Sequence, residues 1–218
     1  MRDDLAIIIP ALNEAATIGG VVASLAGVGR IVVVDDGSDD ATGKIAHDNG
    51  AEVVRHAVNG GYDAALGSGF ARADELGCAY AITLDADGQH PAEMIATYLA
   101  ALDGGADLVL GIRDRLQRFG EHAFAWAARL RYGIRDPLCG MKGYRMALYR
   151  ELGHFDSYRS IGTELMLHAA ANGAAIVQIP LDTREREDAP RFGRLLRANL
   201  RILRAMAIGL SRFHPKPA

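Results

Sequence analysis

Long hydrophobic runs are missing from this chain. No stretch approaches the roughly 18 consecutive apolar residues of a membrane span, so any membrane contact is expected to be peripheral. Cysteine is nearly absent: Cys78 and Cys139 lie far apart without C-x-x-C spacing, which excludes a zinc ribbon or a disulfide framework and fits a reducing, cytoplasmic location. A leader is not expected either, because Met1-Arg2-Asp3-Asp4 runs straight into the strand-like Leu5-Ala6-Ile7-Ile8-Ile9. No excess of positive charge is present, and the net charge of −3 argues against a dedicated nucleic-acid binder. That average hides two unlike parts, an acid-rich first hundred residues and an arginine-rich stretch after Gly111. Internal repeats, low-complexity tracts and long linkers are also lacking. With 218 residues, half of them hydrophobic, one compact domain is expected.

What is present is an alternation of short apolar runs and amphipathic stretches. Residues 5–9 are continuously apolar and stop at Pro10, after which Asn13 and Glu14 open a helical pattern through Ile18, Val21, Val22 and Leu25. The pattern returns as a strand at 31–34, a helix at 42–47 and a strand at 52–55. Asn59-Gly60-Gly61 then precedes a small-residue helix through Ala64, Leu66, Phe70, Ala73 and Leu76, and a strand follows at 80–84. Further on come a helix at 91–102, a strand at 107–111, a basic loop at 112–118, an amphipathic helix at 119–132, a short strand at 141–145, a helix at 163–171 and a strand at 175–179. The C-terminal segment places Arg194, Arg197, Arg201 and Arg204 on one helical face and Leu196, Leu200, Leu203 and Leu210 on another. Apolar strands separated by helices predict an α/β fold with a mostly parallel sheet. Ligands then sit beyond the carboxyl ends of the strands, where the acid-rich loops at 13–14, 35–40 and 85–89 fall.

Asp85-Ala86-Asp87-Gly88-Gln89 closes the fourth strand with oxygen-bearing side chains at alternate positions, which project the same way from an extended backbone. Such a triplet suits a hard divalent cation, Mg²⁺ or Mn²⁺. Taken alone the triplet is a weak signal and reads first as a helix-capping turn, since His90-Pro91-Ala92-Glu93 looks like a helix start. Asp35 and Asp36 similarly serve either a turn or a ribose or base, and Asn59-Gly60-Gly61 either a structural turn or a diphosphate. The arginines after Gly111 form a solvated face or fork onto phosphate oxygens. Glu164 lies on a helix where surface or core-bonded roles are commoner than catalysis. His47, His56 and His168 show no metal spacing and are taken as structural or exposed.

Taken in order, the motifs resemble those of the family 2 inverting glycosyltransferases of GT-A fold, and within them the dolichyl-phosphate mannosyltransferase and polyprenyl-phosphate glycosyltransferase branch. The matching stretches are Ile9-Pro10-Ala11-Leu12-Asn13-Glu14, Val34-Asp35-Asp36-Gly37-Ser38, residues 59–69, Asp85-Ala86-Asp87-Gly88-Gln89-His90-Pro91, Gly111-Ile112-Arg113, Asp136-Pro137-Leu138-Cys139-Gly140 and Ile179-Pro180. The resemblance implies that Pro10, Ala11, Asn13, Glu14, Asp35, Asp36 and Asp85 hold the nucleotide of a GDP- or UDP-linked sugar. It implies that Asp85, Asp87 and Gln89 bind Mg²⁺ or Mn²⁺, and that Arg113 and Arg191 meet the acceptor phosphate. Residues 1–111 would form the donor half, and residues 112–218 the acceptor half with its basic helix. Three departures stand out. Asp63 replaces a small residue, Gly67 replaces a basic one, and Ala189-Pro190-Arg191-Phe192 replaces a Ser-His or Ser-Lys pair before Phe. A Gln-x-x-Arg-Trp motif is missing, since Trp126 is the only tryptophan, which speaks against processive polymerisation.

The chemistry then sets the expected catalytic group as Asp87, Arg113, Asp136 and Glu164. A leaving diphosphate needs its charge neutralised, which a cation on Asp85, Asp87 and Gln89 supplies. A hydroxyl acceptor needs a carboxylate base, for which Asp136 and Glu164 are the candidates. A lipid monophosphate is already anionic and needs arginines to position it, so the arginine-rich second half favours a polyprenyl phosphate. A nucleotidyltransferase and a non-catalytic nucleotide-sugar-binding module are the alternatives, although the first would carry a Gly-rich basic loop where Pro10-Ala11-Leu12-Asn13-Glu14 stands.

Overall fold

The structure is a computed structural model that describes residues 1–87, 93–181 and 192–215, with side chains described from 196 onward in the last helix. In chain order the elements are β1 (Arg2–Ala11), α1 (Ile18–Ser24), β2 (Gly29–Asp35), α2 (Thr42–Asp48), β3 (Glu52–Arg55), α3 (Tyr62–Glu75), β4 (Tyr80–Thr83) and α4 (Met94–Asp103). They continue with β5 (Leu108–Arg113), α5 (Phe119–Tyr132), β6 (Lys142–Arg145), α6 (Met146–Leu152), α7 (Glu164–Ala171), β7 (Ile176–Leu181) and α8 (Phe192–Arg212).

The strands form one sheet in the order β3-β2-β1-β4-β6-β5-β7. Its centre is buried on both faces, which is why β1 reads as an unbroken apolar run rather than an alternating one. Leu5, Ile7 and Ile9 point to the layer containing Ile18, Val22, Ala46, Ile95 and Leu102 of α1, α2 and α4. Ala6 and Ile8 point to the other layer, filled by Leu66 and Phe70 of α3, Phe124 of α5, Leu165 of α7 and Ile202 of α8. Gly69 lets α3 lie directly on the sheet, since a Cβ there would come within 2.3 Å of Ile8 Cγ2.

All pairings are parallel except those of β6, which runs antiparallel between β4 and β5 with Lys142 opposite Thr83 on one side and Leu110 on the other. Reversal puts the start of β6 on the same edge as the ends of its neighbours. Residues 136–142 therefore join the acid-rich loops at the carboxyl edge of the parallel strands.

Two elements differ from expectation. The helix expected to open at Asn13 begins at Ile18, because residues 12–17 form a loop whose amides are taken by side chains of the following β2–α2 loop, with Asn13 at φ +57°. Helix α6 was not anticipated: it follows β6 with no turn residue between them and is stopped only by Gly153 at φ +80°. The start of the helix expected at 91–102 lies outside the described residues, which take up α4 at Met94. Among the described residues no helix is long and apolar enough to cross a membrane.

Candidate active site

The ends of β1 and β2 are laced together. The Asn13 amide donates to Ser38 Oγ (3.0 Å), the Glu14 amide to Thr42 Oγ1 (2.8 Å), and Asn13 Oδ1 accepts from the Asp39 amide (2.9 Å). Thr17 Oγ1 donates to Glu14 Oε2 at 3.0 Å. Pro10 and Ala11 lie beside Val34 and Asp35 in parallel register, and the Ala11 carbonyl accepts from the Asp36 amide at 2.9 Å. The side chains of Asn13 and Glu14 thus brace the loop as well as lining it.

The two adjacent aspartates do different work. Asp35 is fully buried beneath Gly43 of α2; its Oδ1 accepts from the Ser38 amide (2.9 Å), and its Oδ2 makes no hydrogen bond, with Arg55 Nε at 3.6 Å. Asp36 clamps the glycine turn before α3. Its Oδ1 accepts from the Gly60 amide (2.8 Å) and from His56 Nδ1 (2.6 Å), and its Oδ2 from the Gly61 amide (2.7 Å). Because a carboxylate only accepts, His56 carries its proton on Nδ1, while its Nε2 lies 2.8 Å from Ser68 Oγ. Sequence reasoning left His56 as structural or exposed and missed this clamp; its position just past β3 was legible, but its partner was not.

Asp85 and Asp87 sit half-buried at the end of β4. The Asp85 carboxylate lies against Gly140, where a Cβ would come within 2.3 Å of Oδ2. Lys142 is 3% exposed, and burial pushes its ammonium below the usual lysine range, against the pull of Cys139, Asp136 and Asp85. Burial likewise pushes the Cys139 thiol up to about 11. Asp63, in the first turn of α3, is raised by burial, with the Gly162 amide donating to its Oδ1 at 2.6 Å as the opposing influence. Asp85 and Asp87 fit a divalent cation as hard oxygen donors. Among the described residues no cluster of three His, Cys, Asp or Glu forms a cage, and Mg²⁺ is ordinarily held by one or two carboxylates with substrate phosphates and water completing the shell. Gln89 and Arg191, the other expected metal and phosphate contacts, lie outside the described residues.

Arg113 and Asp136 form a bidentate pair, Nε to Oδ2 at 2.8 Å and Nη2 to Oδ1 at 3.0 Å; Asp136 also accepts from the Arg113 and Leu138 amides, both at 3.2 Å. Burial lowers the Arg113 pKa, and the Asp136 and Glu121 carboxylates more than offset this, so the guanidinium stays charged. Buried Glu121, unnoticed in the sequence, lies 3.6 Å from Arg113 Nη2 and accepts from the Gln117 amide and Arg118. Beside this pair opens a cavity of about 320 Å³ walled by Ile112, Leu116 and Trp126 and bearing Arg113, Arg129 and Arg135. Glu164 stands apart from this group. Its buried carboxylate accepts from Ser157 Oγ (2.7 Å), approaches His154 Nε2 (3.2 Å) and Arg212 Nη1 (3.6 Å), and fastens the 154–157 loop and α8 to α7.

Comparison with known proteins places these features in a family. The model of glycosyl transferase family 2 matches residues 6–130. A dolichyl-phosphate hexose transferase of Haloferax volcanii is 32% identical over 197 residues, spanning 84% of each chain. A polyprenol monophosphomannose synthase of Mycolicibacterium smegmatis is 30% identical over 205 residues, 83% of this chain and 77% of that one. Among solved structures, Mycobacterium tuberculosis glucosyl-3-phosphoglycerate synthase in complex with Mn²⁺, UDP-glucose and phosphoglyceric acid superposes with a TM-score of 0.73 at 19% identity, covering 97% of this chain and 80% of that one. With its GT-A fold and a family match across most of its sheet, the chain belongs to the family 2 glycosyltransferases.

Proposed function

We propose that this enzyme transfers a hexose from a nucleoside diphosphate sugar to a polyprenyl phosphate, with Mg²⁺ or Mn²⁺ at Asp85 and Asp87. The cavity beside Arg113 carries the acceptor reading: it joins three guanidinium groups to an apolar wall ending at exposed Trp126, which suits a phosphate with a hydrocarbon tail. Both candidate bases, Asp136 and Glu164, are buried and engaged in hydrogen bonds, which suits an acceptor with no proton to remove. The relatives named for dolichyl-phosphate and polyprenol transfer support the same acceptor, and the neighbour bound to Mn²⁺ and UDP-glucose supports the donor and the metal.

In this reading residues 1–111 bind the donor. The braced 12–17 loop and the Asp36 clamp hold the nucleotide loops in place before substrate arrives, and the divalent cation offsets charge on the leaving diphosphate. Asp136 fixes the Arg113 guanidinium by two of its five N–H groups, leaving others for the incoming phosphate. Attack from the face opposite the leaving group inverts the anomeric centre. The test is to incubate the protein with UDP- and GDP-sugars, Mn²⁺ and undecaprenyl phosphate. An organic-extractable glycolipid that fails to form in EDTA is expected, whereas transfer only to a sugar or protein hydroxyl would refute the proposal.

The same surface supports peripheral attachment to the cytoplasmic face of a membrane. Phe119, Trp126 and Leu130 of α5 and Leu196 and Leu200 of α8 are exposed, flanked by exposed Arg129, Arg197 and Arg201. The two helices pack side by side, with the Gly120 amide donating to Asn199 Oδ1 at 2.7 Å. An apolar face rimmed by arginines is suited to an anionic bilayer. Changing Arg197 and Arg201 to glutamate is expected to weaken partitioning onto phosphatidylglycerol vesicles by roughly 30-fold or more, at about 1 kcal/mol per basic residue lost. Flotation that ignores both changes would remove the membrane reading.

A further inference from the structure

The expected donor-site residues leave one buried charge without a task. Lys142 opens β6 opposite Thr83, whose hydroxyl accepts from the Lys142 amide at 3.1 Å and donates to the Gly140 carbonyl at 2.6 Å. The side chain is 3% exposed and reaches toward the first turn of α3. Its Nζ lies 3.8 Å from where a Cβ on Gly162 would stand, and Tyr62 borders that same glycine. Among the described residues no carboxylate oxygen lies within 4 Å of Nζ, although Asp85 and Asp63 are both close enough to interact with the ammonium electrostatically. A lysine buried without an ion-pair partner costs stability. Glycines border it and the elements on either side: Gly162 against Lys142 and Tyr62, Gly140 against the Asp85 carboxylate, and Gly60 and Gly61 before α3.

We infer that Lys142 is a catalytic residue of the donor site, its ammonium contacting the diphosphate of the nucleotide sugar between the Asp85 strand end and the N-terminus of α3. This rests on the transferase reading above and deepens it. Three features meet there: a buried basic side chain that a bound anion would hold protonated, the positive end of a 14-residue helix and backbone kept close by glycines, a combination that recognises phosphate oxygens. Gly67 offers no charge from the next turn of α3, and Lys142 supplies one from β6. In the transition state the ammonium would share the negative charge gathering on the departing diphosphate with the cation at Asp85 and Asp87.

The test compares the wild type with Lys142→Met and Lys142→Arg by calorimetry with UDP, GDP, uridine and guanosine in EDTA, and by steady-state kinetics with metal present. Lys142→Met is expected to bind the preferred nucleoside diphosphate at least 10-fold more weakly in EDTA, to bind the nucleoside unchanged, and to lose about 100-fold in kcat, with Lys142→Arg recovering part of both. Its melting temperature should hold or rise, because a lone buried charge has been removed. Unchanged diphosphate affinity in Lys142→Met, or an equal loss for nucleoside and diphosphate together with a lower melting temperature, would show a merely structural lysine and overturn the inference alone. A wild-type protein that binds neither UDP nor GDP under any condition would overturn the transferase reading as well.

Discussion

Asp87→Ala is expected to reduce glycosyl transfer by roughly 1,000-fold or more, the scale of losing a principal source of charge stabilisation at a leaving group. Asp87 is half-buried in the turn that ends β4, so its removal should leave the melting temperature within about 1–2 °C of wild type. The diagnostic readout is nucleotide binding with and without Mn²⁺. Wild-type affinity should rise on adding metal, and the variant's should not. A variant that keeps near-normal, metal-stimulated turnover would show that the strand-end carboxylates are only helix caps, the other sense in which the motif reads from sequence.

Asp136→Ala is expected to act first on stability. It strips Arg113 of a bidentate partner and leaves the Arg113 and Leu138 amides without their acceptor. Breaking such a buried pair from one side costs about 3–5 kcal/mol. Glu121, 3.6 Å from Nη2, offers Arg113 a partial replacement and keeps the loss toward the lower figure. For a chain of this size that corresponds to a drop of roughly 6–12 °C in melting temperature. Asp136→Asn preserves the shape and half of the acceptor capacity, so a smaller drop and a rate within about 10-fold of wild type should follow if Asp136 only positions Arg113. A folded Asp136→Asn protein that loses three orders of magnitude in rate would make Asp136 a general base and the acceptor a hydroxyl.

The parallel core was legible because strands buried on both faces leave continuous apolar runs, as in residues 5–9 and 31–34, and the positions of Asp35, Asp36, Asp85 and Asp87 at strand ends followed from that. What periodicity does not encode is the direction in which a four-residue strand pairs. Lys142-Gly143-Tyr144-Arg145 read as a strand, yet nothing in it announced that it would run backwards between β4 and β5 and set Lys142 opposite Thr83 at the end of β4. The faces of α8 were visible, but not which of them meets the protein. Leu196 and Leu200, expected on an apolar face of their own, stand in solvent beside Arg197 and Arg201, while Ile202, Ala205 and Gly209 pack inward, Gly209 so tightly that a Cβ would lie 2.5 Å from Leu167 Cδ1. His56, Glu121 and Lys142 meet neighbours on other stretches of the chain, Asp36, Arg113 and Gly162, and no local signal marks those contacts.

The reversed strand also bears on how such an enzyme diversifies. The segment leading into β6 touches Asp85 through Gly140 and holds Arg113 through Asp136, so on the proposed function a change there is expected to disturb donor and acceptor binding at once. Trp126 and Arg129, by contrast, wall the cavity beside Arg113 from the outer side of α5, where they face solvent. On the proposed function, exchanging side chains on this one surface helix is expected to change which lipid is accepted while leaving the residues proposed to hold the donor untouched.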